Sequence, residues 1–165
     1  MSEINLQALY ARHRQALFTL ALARTGRREL AEDAVHDAFV RLCRGGLSRT
    51  ADPVAYAFAA VRNAAVDKVR RVRLVDAGTQ ELPVSIFDEH ARDPEQRAAM
   101  AEQQKLIAGA VNDLGPDERE AMVLRIYADL SFAQIAQVMG TPVQTACSRY
   151  YRALRRLREQ LERFV

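Results

Sequence analysis

The residues best suited to chemistry lie near the C-terminus. From Val143 to Leu161 a helical repeat assigns Val143, Ala146, Tyr150, Leu154, Leu157 and Leu161 to one apolar face. Gln144, Thr145, Cys147, Ser148, Arg149, Tyr151, Arg152, Arg155 and Arg156 are left for the other faces. Hydroxyls and amides at the start of such a helix can bond base edges in a major groove, and arginines can pair with guanine or phosphate. A solvated basic helix in an α-bundle would read similarly, although such a face usually mixes both signs of charge. A second basic strip holds Arg62, Asn63, Asp67, Lys68, Arg70, Arg71 and Arg73, with Tyr56 and Phe58 one or two turns earlier. Aromatic rings beside a basic strip suit unstacked single-stranded bases, because every base offers a π-face. The alternative is that both rings are core.

Enzyme chemistry finds no foothold. His13, His36 and His90 are scattered, and Cys43 and Cys147 form no C-x-x-C pair. No nucleophile–base pair, glycine-rich phosphate loop or metal-spaced cluster is present, so no catalytic residue, cofactor or metal is expected. Free thiols fit a reducing cytosol. The N-terminus lacks a basic-then-apolar leader, and no apolar run is long enough to span a membrane, so a cytoplasmic protein without membrane insertion is expected.

The elements that must position these residues are helical. Ile4, Leu9, Leu17, Leu20 and Ala21 recur at helical spacing up to a stop at Thr25-Gly26, with Tyr10 and Phe18 beside them. A second helix runs from about Glu29 to Arg44 and ends at Gly45-Gly46. Asp52-Pro53 opens a third, with Val54, Phe58, Val61, Ala65, Val69 and Val72 inward. Residues 74–94 lose the pattern and read as a solvated linker. Helicity resumes near Glu95 with Leu106, Ile107, Ala110, Val111 and Leu114 as its stripe, and again after Gly115-Pro116 with Met122, Val123, Ile126 and Tyr127. Ser131 to Gln134 has the form of a capping box, Gly140 supplies a turn, and Thr141-Pro142 repeats the start signal. A short helix, a glycine turn and a longer helix make a helix-turn-helix by spacing. The expected fold is all-α: two small helical domains, 1–73 and 95–165, joined by a flexible acidic linker at 74–94.

The chain has 165 residues with 24 basic and 21 acidic side chains, a net +3 that looks mild for a nucleic-acid binder. The mean hides a pattern. Residues 1–75 carry +6, residues 76–118 carry −7 and residues 119–165 carry +4. Two basic blocks around an acidic middle suggest nucleic acid meeting both ends. Hydrophobic residues at 49% exclude a disordered chain.

Taken together, three stretches resemble an extracytoplasmic-function (ECF) sigma factor of bacterial RNA polymerase, over nearly the whole chain. Leu30 to Leu42 is similar to that family's polymerase-binding helix. Asp52 to Arg71 looks like its helix for melting and reading the minus-ten element. Leu114 to Glu120, Leu130 to Ala136 and Ser148 to Ala153 resemble the domain that reads the minus-thirty-five element. The resemblance implies promoter-specific initiation with core polymerase and promoter DNA as partners, and an anti-sigma factor by family habit. It implies Glu32, Asp33, Asp37, Phe39, Arg41 and Leu42 for docking on polymerase. Tyr56, Arg62, Asn63, Lys68, Arg70 and Arg71 are implied for the minus-ten element. Tyr56 stands where the family often has tryptophan, and Cys147 where it commonly has Lys or Arg. The competing reading is a sigma-like adaptor that binds a regulatory protein rather than promoter DNA.

Overall fold

The computed structural model describes residues 5–45, 47, 50–75 and 94–163, with the backbone alone described for 94–101. Seven helices account for nearly all of them: α1 (Leu6–Thr25), α2 (Arg28–Gly45), α3 (Pro53–Val75), α4 (Pro94–Asn112), α5 (Pro116–Ile126), α6 (Phe132–Met139) and α7 (Val143–Glu162). There is no strand among the described residues. Most of the expected acidic linker, 76–93, lies outside them.

The helix boundaries follow local chemistry. Asn5 caps α1 by accepting from the Gln7 and Ala8 amides, and Gly26 closes it at φ 68°, its N–H donating to the Leu22 carbonyl. Asp52 Oδ1 accepts from the Ala55 amide at 3.0 Å and starts α3. In α6 the capping box closes in both directions: Gln134 N–H to Ser131 Oγ at 3.1 Å, and Ser131 N–H to Gln134 Oε1 at 2.9 Å.

The α1–α3 helices pack on one another around Leu17, Leu20, Phe58 and Val61, all fully buried. Covering a side chain the size of Phe58 contributes about 2–3 kcal/mol. In the C-terminal half, α5, α6 and α7 close around Leu124, Ile135, Ala146 and Ala153, and α4 lies on α7. The two halves do not stand apart. Helix α5 lies against α1 and α6 against α3, and one continuous apolar core runs through both halves.

Several expected core positions shift. Leu106 and Ile107 are exposed because α4 rests chiefly on α7, which covers the narrower stripe of Ala108, Ala110 and Val111. Ile126 and Tyr127 are also exposed. The buried stretch of α5 is instead Ala121 to Leu124, because that helix is clasped by α1 on one side and α7 on the other. On α7, Val143 is exposed and Ala153 is buried where Leu154 was expected. Small residues at Ala146 and Ala153, seven apart, let α7 approach its neighbours closely. Thr141 does not cap α7: Pro142 occupies that position without a side-chain hydrogen bond.

Candidate nucleic-acid interface

Helix α7 offers two kinds of surface. Gln144 and Ser148 are exposed near its start, with Tyr151, Arg152, Arg155 and Arg156 exposed further along, while Thr145, Cys147 and Arg149 are half-buried. Tyr151 packs edge-on against Tyr150 at 5.2 Å yet remains 58% exposed. Phe132 of α6 anchors this aromatic group by touching both tyrosine rings, and the Arg125 guanidinium sits over the Phe132 ring itself, 4.8 Å from its centroid. The aromatics therefore fix the rotation of α7 on α6 while the polar face looks outward.

The α3 strip divides in the same way. Tyr56, Asn63 and Arg70 recur every seven residues, fall on one helix face and are all exposed, Tyr56 at 46%. Arg71 is exposed beside them. Phe58 is fully buried and belongs to the core, so Tyr56 is the ring available to a base. Lys68 turns away toward α2, its Nζ 2.7 Å from Asp37 Oδ2. The hydrogen bond from Lys68 holds the Asp37 carboxyl below its usual value of 3.8, with burial opposing it and the Lys68, His36 and Arg41 charges assisting.

On α2, Glu32, Asp33 and Arg41 are exposed, and Glu32 pairs with Arg28 one turn back at 3.2 Å. Phe39 is half-buried, with the Tyr10 ring edge-on at 4.9 Å. Leu42 is only 4% exposed, packed with Leu9, Leu47 and Ala57. It is part of the core and presents no docking surface.

The arrangement least visible in the sequence is a knot of charge between the halves. Glu120 of α5 is fully buried, and its carboxylate meets three donors. Arg24 Nε donates to Oε1 at 2.6 Å, Arg24 Nη2 to Oε2 at 2.9 Å and Arg62 Nε to Oε2 at 2.8 Å. Asp117 adds a second carboxylate, 3.2 Å from Arg24 and 3.5 Å from both Arg62 and Arg149. Burial works against the Arg24 cation. Its hydrogen bond to Glu120 and the two carboxylate charges more than offset this and raise its pKa. Glu118, between Asp117 and Glu120 on the same turn but on another face, points to α7 and sits 3.1 Å from Arg156 and 3.8 Å from Arg152.

Arg119 completes the junction. It donates to the carbonyls of Val111, Asn112 and Leu114 at the end of α4, and to Ala23 on α1. Helix ends leave carbonyls without intrahelical partners, and Arg119 serves acceptors in these regions, the Val111 carbonyl also accepting from the Leu114 amide at 3.1 Å. Burial lowers the Arg119 pKa, and the Arg24 cation adds to the effect, but a guanidinium stays charged at any working pH. Gln134 forms a further bridge: its Nε2 donates to Asp52 Oδ2 at 3.0 Å, joining the α6 cap to the α3 cap. Asp117, Glu118, Arg119 and Glu120 carried a sequence signal, being charges at the head of an apolar helix. Arg24 carried none.

Residues 9–74 match Sigma-70 region 2, and residues 104–157 match Sigma-70 region 4. The ECF RNA polymerase sigma factor SigL of Mycobacterium tuberculosis is 33% identical over 162 residues, spanning 95% of this chain and 89% of SigL. The chain belongs to the ECF sigma factor family. It is a promoter-recognising sigma factor, from a family of transcription regulators rather than catalysts. The RNA polymerase sigma-E factor of Streptomyces coelicolor is 32% identical over 148 residues, 89% of this chain and 71% of that one. Among solved structures, the sigma factor RpoE in complex with the anti-sigma factor NepR from Bartonella quintana superimposes with a TM-score of 0.73 at 25% identity, over 94% of this sigma factor and 96% of RpoE. CnrH in complex with the cytosolic domain of CnrY shares the fold at a TM-score of 0.64 and 23% identity, over 95% and 87% of the two chains. Among the described residues of this sigma factor, no helix is long and apolar enough to cross a membrane, and no group of three or more His, Cys, Asp or Glu could hold a metal ion.

Proposed function

We propose that this sigma factor works in the cytoplasm, without catalytic chemistry of its own, through two separate readouts. The N-terminal half docks on core polymerase through Glu32, Asp33 and Arg41, with Phe39 and Tyr10 as an apolar edge. The exposed stripe of Tyr56, Asn63 and Arg70 then holds unstacked bases of the minus-ten element. Asn63 both donates and accepts, as base discrimination requires. In the C-terminal half, Gln144, Ser148, Tyr151 and Arg152 enter the upstream major groove, while Arg155 and Arg156 meet phosphate.

The observation that carries this reading is the pairing of surfaces. Each half holds an exposed helix face whose side chains can bond or stack on bases, and each half matches one of the two sigma regions. RpoE is seen in complex with the anti-sigma factor NepR, which supports a regulatory protein partner here as well. The test is to add the purified protein to sigma-free core polymerase and sequence the transcripts made from a genomic DNA library. Discrete start sites sharing two spaced upstream elements are the expected result. Binding to core without initiation would favour the adaptor reading, and no binding to core would remove the proposed docking surface.

A further inference from the structure

Arg24 and Arg62 lie 38 residues apart on different helices of the same half, and their separation is set by that half's own core of Leu20, Ala21, Phe58, Val61 and Ala65. Glu120 arrives from the other half and fills the space between them. Two guanidinium groups that converge on both oxygens of one carboxylate make a fork that suits any compact oxyanion, a phosphodiester included. Arg62 directly precedes Asn63, so the fork sits beside the proposed minus-ten stripe. A crevice of about 370 Å³ continues from it, lined by Arg24, Arg70 and Arg73.

We propose that Arg24 and Arg62 form a phosphate seat for the DNA backbone at the minus-ten region, and that Glu120, backed by Asp117, occupies this seat in the free protein. The proposal deepens the promoter reading and rests on it. Two anions cannot share the seat, so DNA must displace Glu120. Displacing Glu120 removes the main polar tie between α5 and the N-terminal half. Opening of the molecule and backbone binding are then coupled, and each favours the other to the same extent. A closed sigma factor binds DNA weakly because its own carboxylate has taken the place of the phosphate.

The test uses the full chain and a mixed-sequence single-stranded DNA oligonucleotide as the backbone probe, followed by anisotropy across a salt series. Energy transfer between dyes on Cys43 and Cys147, one in each half, reports opening on separately labelled protein. Glu120→Gln should lower energy transfer and tighten oligonucleotide binding about tenfold. Arg24→Gln should open the molecule too, but without that gain. The double variant should lose the gain of Glu120→Gln, and its salt slope should be shallower by about 0.7. Asp117→Asn, at a half-exposed position, should move both readouts in the same direction by a smaller factor, so the proposal stays testable if Glu120→Gln does not fold. Glu120→Gln that leaves both readouts unchanged would overturn the proposal. So would opening without tighter binding, or a double variant that binds as well as Glu120→Gln. If the oligonucleotide results are as expected but core polymerase starts no transcripts, the seat is upheld and the promoter reading fails.

Discussion

Single side chains in this molecule serve surfaces that their position in the sequence does not reveal. Asp37 and Lys68 were expected on different interfaces, one for polymerase and one for DNA, yet they hold each other across α2 and α3. Asp33 has no such internal tie in its described surroundings, so Asp33→Ala should lower affinity for core polymerase with little change in melting temperature. Asp37→Asn should also alter acid stability, and the sign follows from its lowered pKa. A carboxyl held below its usual 3.8 stabilises the fold above that value and loses this contribution as pH falls through the lower folded-state value. Unfolding midpoints measured between pH 6 and pH 2 should therefore fall less steeply for Asp37→Asn than for the parent. Arg152 is loosely held by Glu118 at 3.8 Å and is free to turn to DNA. Arg152→Ala should weaken upstream-element binding by about 1–3 kcal/mol, whereas Asn63→Ala should mainly impair minus-ten recognition. Footprinting with separate promoter mutations distinguishes the two, and an unchanged upstream preference in Arg152→Ala would refute that face of α7. Arg119→Met removes the guanidinium donor from four carbonyls, of which Val111 keeps the Leu114 amide, and should cost about 2–3 kcal/mol in urea unfolding.

Most elements were legible because their determinants are local. The apolar period, the Asp52-Pro53 start and the Ser131–Gln134 capping box act over a few residues, and each appears where the sequence placed it. The candidate strip of α3 was legible only as a cluster: Tyr56, Asn63 and Arg70 share an exposed face, whereas Arg62, Lys68 and Phe58 of the same strip turn to Glu120, Asp37 and the core. What failed was the choice of inward side where a helix has only one neighbour or has several. Leu106 and Ile107 look inward by hydropathy, but α4 has too little packed against it to cover them. The turn of the helix-turn-helix offers a clean test of element geometry. Gly140 sits at φ 63°, and an added Cβ would meet nothing within 4 Å. Gly140→Ala should therefore cost about 1–2 kcal/mol from backbone strain alone. Gly140→Asn should cost less in the same thermal melt, because Asn visits the left-handed region more readily.

Across the whole molecule, contacts between the halves escaped the sequence. Arg62 and Glu120 are 58 residues apart and Arg24 and Glu120 are 96 apart, with no local pattern to pair them. Charge blocks gave the sign of each end but not the fact that α5 brings its carboxylates to both. Promoter binding by the holoenzyme should fall steeply with salt, by about 0.9 log units per log unit of salt for each phosphate neutralised. A flat response in filter binding would count against the electrostatic reading. The shared apolar core has a consequence for how long each molecule survives. When α5 leaves α1 and α6 leaves α3, both halves bare hydrophobic faces that only a partner can cover. A molecule opened away from polymerase thus presents the same surface that cellular proteases read as damage. Glu120→Gln should accordingly be cleaved faster than the parent in limited proteolysis, and adding core polymerase should protect it. Engagement with polymerase would then set the lifetime of the sigma factor, with unemployed open copies removed first.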